Sequence, residues 1–115
     1  MVESAATIQE GDIMFSAAEK AIFKNMIGET RKCLNKTNPQ NQDDRIKCET
    51  AYFSELDNYT YHTHPVGIEY PSEIDKQTTA KHGKQYLVIG LVPTNEIVVW
   101  GPYPTYDKII TRFKV

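Results

Sequence analysis

The segment HTHPVGIEYPSEID, from His62 to Asp75, brings two imidazoles and a carboxylate together at a spacing that suits one metal ion. Alternate residues of a strand face the same way, so His62 and His64 offer ring nitrogens to one point while Thr63 faces the other side. Pro65 ends that strand, and Ser72 opens a new element with Asp75 three residues on. A loop carrying Gly67 and Pro71 can fold the carboxylate back towards the imidazole pair. Two His, one Asp and a water complete a tetrahedron of the open catalytic kind, in contrast to closed structural sites built mainly from cysteine. The plainer reading of Ser72-x-x-Asp75 is a helix cap, in which the hydroxyl satisfies orphan amides and the acid favours the helix N-terminus. Capping and metal ligation are compatible, since Asp75 can do both. Two of the three His in the chain fall in this pair.

The order His62-x-His64, seven residues, Ser72, two residues, Asp75 resembles the JAMM motif of the MPN+ metallopeptidases. That family commonly writes the segment as HxHP, a loop, then PSxxD, and His64-Pro65 and Pro71-Ser72 strengthen the match. The resemblance covers Tyr59 to about Trp100 and fades towards both ends. It implies a zinc ion held by His62, His64 and Asp75, with Ser72 helping to bind the oxyanion and an upstream glutamate as base. It also implies hydrolysis of peptide or isopeptide bonds in a protein or peptide substrate, removal of ubiquitin-like modifiers being one such activity. Two alternatives stand beside it. One is a non-catalytic MPN-type scaffold that binds partner proteins. The other is a RadC-like domain, which shares HxHP and PSxxD but is disfavoured by the lack of a basic patch and of a helix-hairpin-helix region.

The family's glutamate starts a strand and is followed by small residues and a glycine. Glu3 fits best, in ESAATIQEG, with Ala6 where the family has Gly and an extra residue before Gly11. Catalysis requires Glu3 to be pinned although it lies at the terminus, where chains fray unless tied into a sheet. Glu29 is the runner-up because a helical segment precedes it, but Thr30, Arg31, Lys32 and Asn35 are too polar for the buried strand that should follow. Glu19 is better explained as the capping-box partner of Ser16.

The elements that must position these groups are legible in outline. Residues 3–8 and 12–15 read as two short strands, and Ser16 with Glu19 starts a helix running to about Leu34, with Ile22, Phe23, Met26 and Ile27 as its core stripe. Gly28 is expected to weaken or kink it, and Asn38-Pro39 forbids its continuation. A strand is expected within 45–53, and another over 59–64, with Tyr59 and Tyr61 on the face opposite Thr60 and His62. A second helix runs from Ser72 to near Gly83, with Lys81 and His82 in its last turn, where cations suit the dipole. His82 is read as structural or exposed. Tyr86 to Val92 and Glu96 to Trp100 form two strands across Pro93-Thr94-Asn95 at the sheet's centre, and 109–115 a last strand or arm. The fold class is α/β, one domain over 1–115 with a mixed β-sheet flanked by helices; the resemblance narrows this to the MPN, cytidine-deaminase-like fold. A zinc deaminase itself is disfavoured, because its His-x-Glu and Pro-Cys-x-x-Cys set is missing, as is the HExxH of zincins.

Composition excludes other classes. The chain has 115 residues, 13 basic and 15 acidic side chains and a net charge of −2, which leaves no electrostatic footprint for nucleic acid. No apolar run reaches the ~20 residues of a spanning helix, and VESAATIQE lacks the regions of a signal peptide, so a cytoplasmic protein without membrane contact is expected. Cys33 and Cys48 bracket the polar stretch NKTNPQNQDD. A bridge between them would staple it in an oxidising compartment, whereas a reducing cytosol would keep both thiols free. No CxxC spacing marks them as metal ligands. The sequon Asn58-Tyr59-Thr60 falls just before the metal strand and is taken as chance.

Overall fold

The computed structural model describes residues 15–36, 43, 47–48, 54–56 and 58–115. Ser16 caps the first helix, α1 (Ala17–Asn35), through a capping box: its hydroxyl accepts from the Glu19 amide at 3.1 Å and the Glu19 carboxylate accepts from the Ser16 amide at 2.9 Å. The helix runs through Gly28 without a break. Its inward stripe is Phe23, Met26, Ile27 and Thr30. Ile22, expected in the core, is instead exposed, and Thr30 belongs to the stripe. Thr30 is admitted because its hydroxyl is satisfied twice, donating to the Met26 carbonyl at 3.0 Å and receiving from the Thr63 hydroxyl at 2.8 Å.

Five strands follow: β1 (Ser54–Leu56), β2 (Tyr59–His64), β3 (Tyr86–Leu91), β4 (Glu96–Gly101) and β5 (Lys108–Lys114). They form one mixed sheet in sequence order, antiparallel except for the β2–β3 pair. That parallel pair is joined through α2 (Glu73–Lys81), as a crossover between parallel strands requires. Lys47 and Cys48 are helical, which contradicts a strand there; the remainder of 45–53 lies outside the described residues. So do the strands expected over 3–8 and 12–14. Phe15 is described, and it is not in a strand.

Pleating separates two apolar layers. On one face Val88, Val92, Ile97, Val99 and Tyr59 pack against Phe23, Met26 and Ile27 of α1. On the other, Leu87, Ile89, Leu91, Val98 and Trp100 pack with Tyr106, and Ala80 of α2 joins them. The two helices therefore cover opposite faces of the sheet, which is the α/β arrangement with flanking helices that the order of elements implies. Residues that touch α1 are excluded from the face that α2 covers. This division determines which acids can reach the imidazole pair.

Candidate metal centre

Strand β2 presents Thr60, His62 and His64 on the α2 side and Tyr59, Tyr61 and Thr63 on the α1 side, as alternation requires. The Thr60 and Thr79 hydroxyls meet at 2.7 Å in the interior. Thr79 also donates to the Asp75 carbonyl at 2.8 Å, so Thr60 supplies the proton of the hydroxyl pair. Asp75 lies four residues before Thr79 on the same helical face, and His62 two residues after Thr60 on the same strand face. The threonine pair thus anchors one end of a contact whose other end sets Asp75 over the histidines.

Ser72 fixes where α2 begins. Its hydroxyl accepts from the Asp75 amide at 3.0 Å, and Asp75 Oδ2 accepts from the Ser72 amide at 2.9 Å. Both halves of the capping box are present, yet capping does not exhaust the carboxylate. The same Oδ2 atom lies 3.1 Å from His62 Nε2 and 3.2 Å from His64 Nε2, and the two Nε2 atoms are 3.0 Å apart. All three residues are buried. Burial pushes the Asp75 carboxyl up, but hydrogen bonds from His62 and His64, the charge of His62 and the Ser72 amide outweigh it and hold the group well below the usual carboxylate range.

The tautomer of His64 decides what this triangle means. Its Nδ1 lies 2.5 Å from the Ile68 carbonyl, which can only accept, so Nδ1 carries the proton. In the neutral ring, Nε2 is then a lone pair facing a carboxylate oxygen. That contact becomes attractive when the ring takes a second proton and donates its Nε2–H to Asp75, or when a metal cation lies between the two atoms. A single proton can bridge one edge of a triangle but not three nearly equal edges, whereas a metal ion can sit over all three atoms. With metal–ligand bonds of about 2.0–2.1 Å, the edge of a tetrahedral site is about 3.3 Å, close to the separations found here. A backbone carbonyl holding the remote N–H of a ligating histidine is also the usual outer support of such a ring. His62, His64 and Asp75 could therefore hold a metal ion, and they are the group of this kind among the described residues.

The loop between His64 and Ser72 is held at several points. The Gly67 amide donates to the His64 carbonyl at 3.1 Å, and Gly67 has φ +81°, a left-handed conformation that a side chain would resist. Trp100 Nε1 donates to the Glu69 carbonyl at 2.8 Å, the Tyr70 ring lies 5.7 Å from the Trp100 ring, and the Glu69 carboxylate is 3.5 Å from Arg112. Sequence reasoning placed Gly67 in this loop but named none of the contacts that hold it. Backbone carbonyls carry no side-chain signal, and Trp100 reaches the loop only through pairing of distant strands.

Of the acids considered as base, Glu29 belongs to α1, on the face of the sheet opposite the histidines, and it pairs with Lys32 at 3.7 Å. Its place across the sheet removes it from this centre. Glu19 accepts the Tyr59 hydroxyl at 2.5 Å on that same opposite side. Glu3 lies outside the described residues. Among the described residues no further acid joins the His62, His64 and Asp75 group. Ser72 lines the opening beside His64. His82 caps the C-terminal end of α2 and is exposed.

Comparisons with models of known protein families, with curated proteins and with solved structures find no match in any of the three.

Proposed function

We propose that this chain is a zinc-dependent hydrolase of peptide or isopeptide bonds, of the JAMM type, on an MPN-like fold. The observation that carries the reading is the convergence of His62 Nε2, His64 Nε2 and Asp75 Oδ2, with the His64 proton fixed on its far side by the Ile68 carbonyl. Two imidazoles and one carboxylate suit zinc and leave a coordination position for solvent or substrate. A zinc ion bound there supplies a Lewis acid that acidifies water and polarises a carbonyl.

The chain's own residues divide the remaining work. Glu3 accepts the proton of the attacking water and returns it to the leaving amine. The Ser72 hydroxyl already accepts from the Asp75 amide, so its own proton is available to the oxyanion at the mouth of the site. A protein or peptide is the substrate, with ubiquitin-like modifiers included in the test panel. Neither nucleic acid nor membrane has a role in this reading; among the described residues no helix is long and apolar enough to cross a membrane. The Cys33–Cys48 disulfide is more at home in an oxidising compartment than in the reducing cytosol that composition alone points to.

The test is Glu3→Gln, read by metal analysis and by cleavage of a panel of peptides and ubiquitin-like fusions. The zinc-loaded parent should cleave, and the variant should keep zinc while losing at least about 100-fold in turnover, the usual contribution of a general base. Undiminished turnover would remove Glu3 from the mechanism. A zinc-loaded parent that cleaves nothing in the panel would contradict the hydrolase reading.

A further inference from the structure

We infer that the centre takes a chain segment with a bulky apolar side chain beside the bond to be cleaved, a substrate class that rests on the hydrolase reading above. A groove of about 370 Å³ adjoins the metal site, lined by His64, Val66, Ile68, Tyr70, Pro71 and Ser72. His64 is one of the metal-holding residues and Ser72 the hydroxyl at its mouth, so whatever fills the groove is continuous with the reacting group. The remaining walls are two aliphatic side chains, a proline and an aromatic ring.

A second observation concerns how apolar surface is distributed. Val66 is 52% exposed, Ile68 56%, Tyr70 64% and Ile74 73%, and these are four of the seven large hydrophobic residues exposed among the described residues. All four fall within nine positions, on the loop and first helical turn that carry Ser72 and Asp75. Scattered exposed hydrophobics mean little, whereas a cluster rimming a polar centre marks a place where apolar matter is bound. The loop presenting them is fastened to the sheet by Trp100 and Arg112, so the walls are set before a ligand arrives and less ordering entropy is lost on binding.

Charge narrows the occupant further. Among the described residues no Asp, Glu, Lys or Arg side chain lines the groove, and the acid of the loop, Glu69, is engaged by Arg112. A charged substrate side chain would lose its hydration there without gaining a partner. A glycine would leave the apolar walls in water. The volume sits at the lower end of the ~300–1,000 Å³ usual for ligand pockets, which fits one or two residues of an extended chain and not the face of a folded domain.

The experiment uses the zinc-loaded full chain and two metal-chelating probes that differ only in a side chain, acetyl-leucine hydroxamate and acetyl-glycine hydroxamate, titrated by calorimetry. Burying the leucine side chain should make the first probe bind roughly 10- to 100-fold more tightly. Val66→Glu should bring the ratio near one while the zinc stoichiometry is unchanged. Equal binding of both probes to the parent, or a ratio indifferent to Val66→Glu, would overturn the apolar-subsite inference and leave the metal reading standing. Failure of both probes to bind the zinc-loaded chain would overturn the open-site reading and this inference with it.

Discussion

At the scale of single residues, Asp75 carries three duties with one oxygen: it completes the cap of α2, faces His62 and faces His64. Its depressed ionisation has a definite consequence for stability in the metal-free chain. A carboxyl whose folded pKa lies below its unfolded value stabilises the fold fully above the unfolded value, and that stabilisation is lost as pH falls towards the folded one. Asp75→Asn should therefore cost about 1–3 kcal/mol near pH 5, with a deficit that shrinks as pH falls below about pH 4. Denaturant unfolding of both chains across pH reads this directly. A deficit that stays undiminished below about pH 4 would show that the ionised carboxylate is not what carries it. The two His and the Asp were legible in the sequence because strand alternation and the Ser-x-x-Asp cap are local rules. The Ile68 carbonyl that fixes the tautomer was not, since any residue type supplies a carbonyl and only the folded loop aims it.

At the scale of elements, the site depends on a loop tied to distant strands. Trp100 on β4 and Arg112 on β5 both reach the loop residue Glu69, one position after the carbonyl that holds His64. Trp100→Phe keeps an aromatic ring against Tyr70 but removes the donor to Glu69. Zinc affinity should fall about 10-fold, as for loss of other outer supports of a metal site, while the far-ultraviolet spectrum is preserved. Unchanged affinity would show that the loop holds its shape without this tie. The helices were largely readable, since both capping boxes occur at the expected serines. The core stripe of α1 was misjudged at Ile22 and Thr30, because helical periodicity cannot foresee that a threonine will find a hydroxyl across the sheet in Thr63. The helical Lys47 and Cys48 also defied the strand expected there. Short polar stretches carry weak periodicity, and a long-range crosslink between Cys33 and Cys48 bears on this one.

At the scale of the whole molecule, one mixed sheet separates two functions. The α1 face holds an aromatic cluster of Phe15, Phe23, Tyr59 and Tyr61 behind β2, while the α2 face carries the His62, His64 and Asp75 group beside its own apolar layer. The disulfide joins the last turns of α1 to Cys48 across 15 positions of sequence, a closure that stabilises mainly by restricting the unfolded chain. Neither feature touches the metal-holding atoms. The most direct test is calorimetric titration of the metal-free full chain with zinc at neutral pH, beside the His64→Ala variant. The parent should take up one ion per chain, with the heat of binding accompanied by proton release, and the variant should lose the high-affinity phase. No uptake by the parent, or equal uptake by the variant, would contradict a metal centre built on His62, His64 and Asp75.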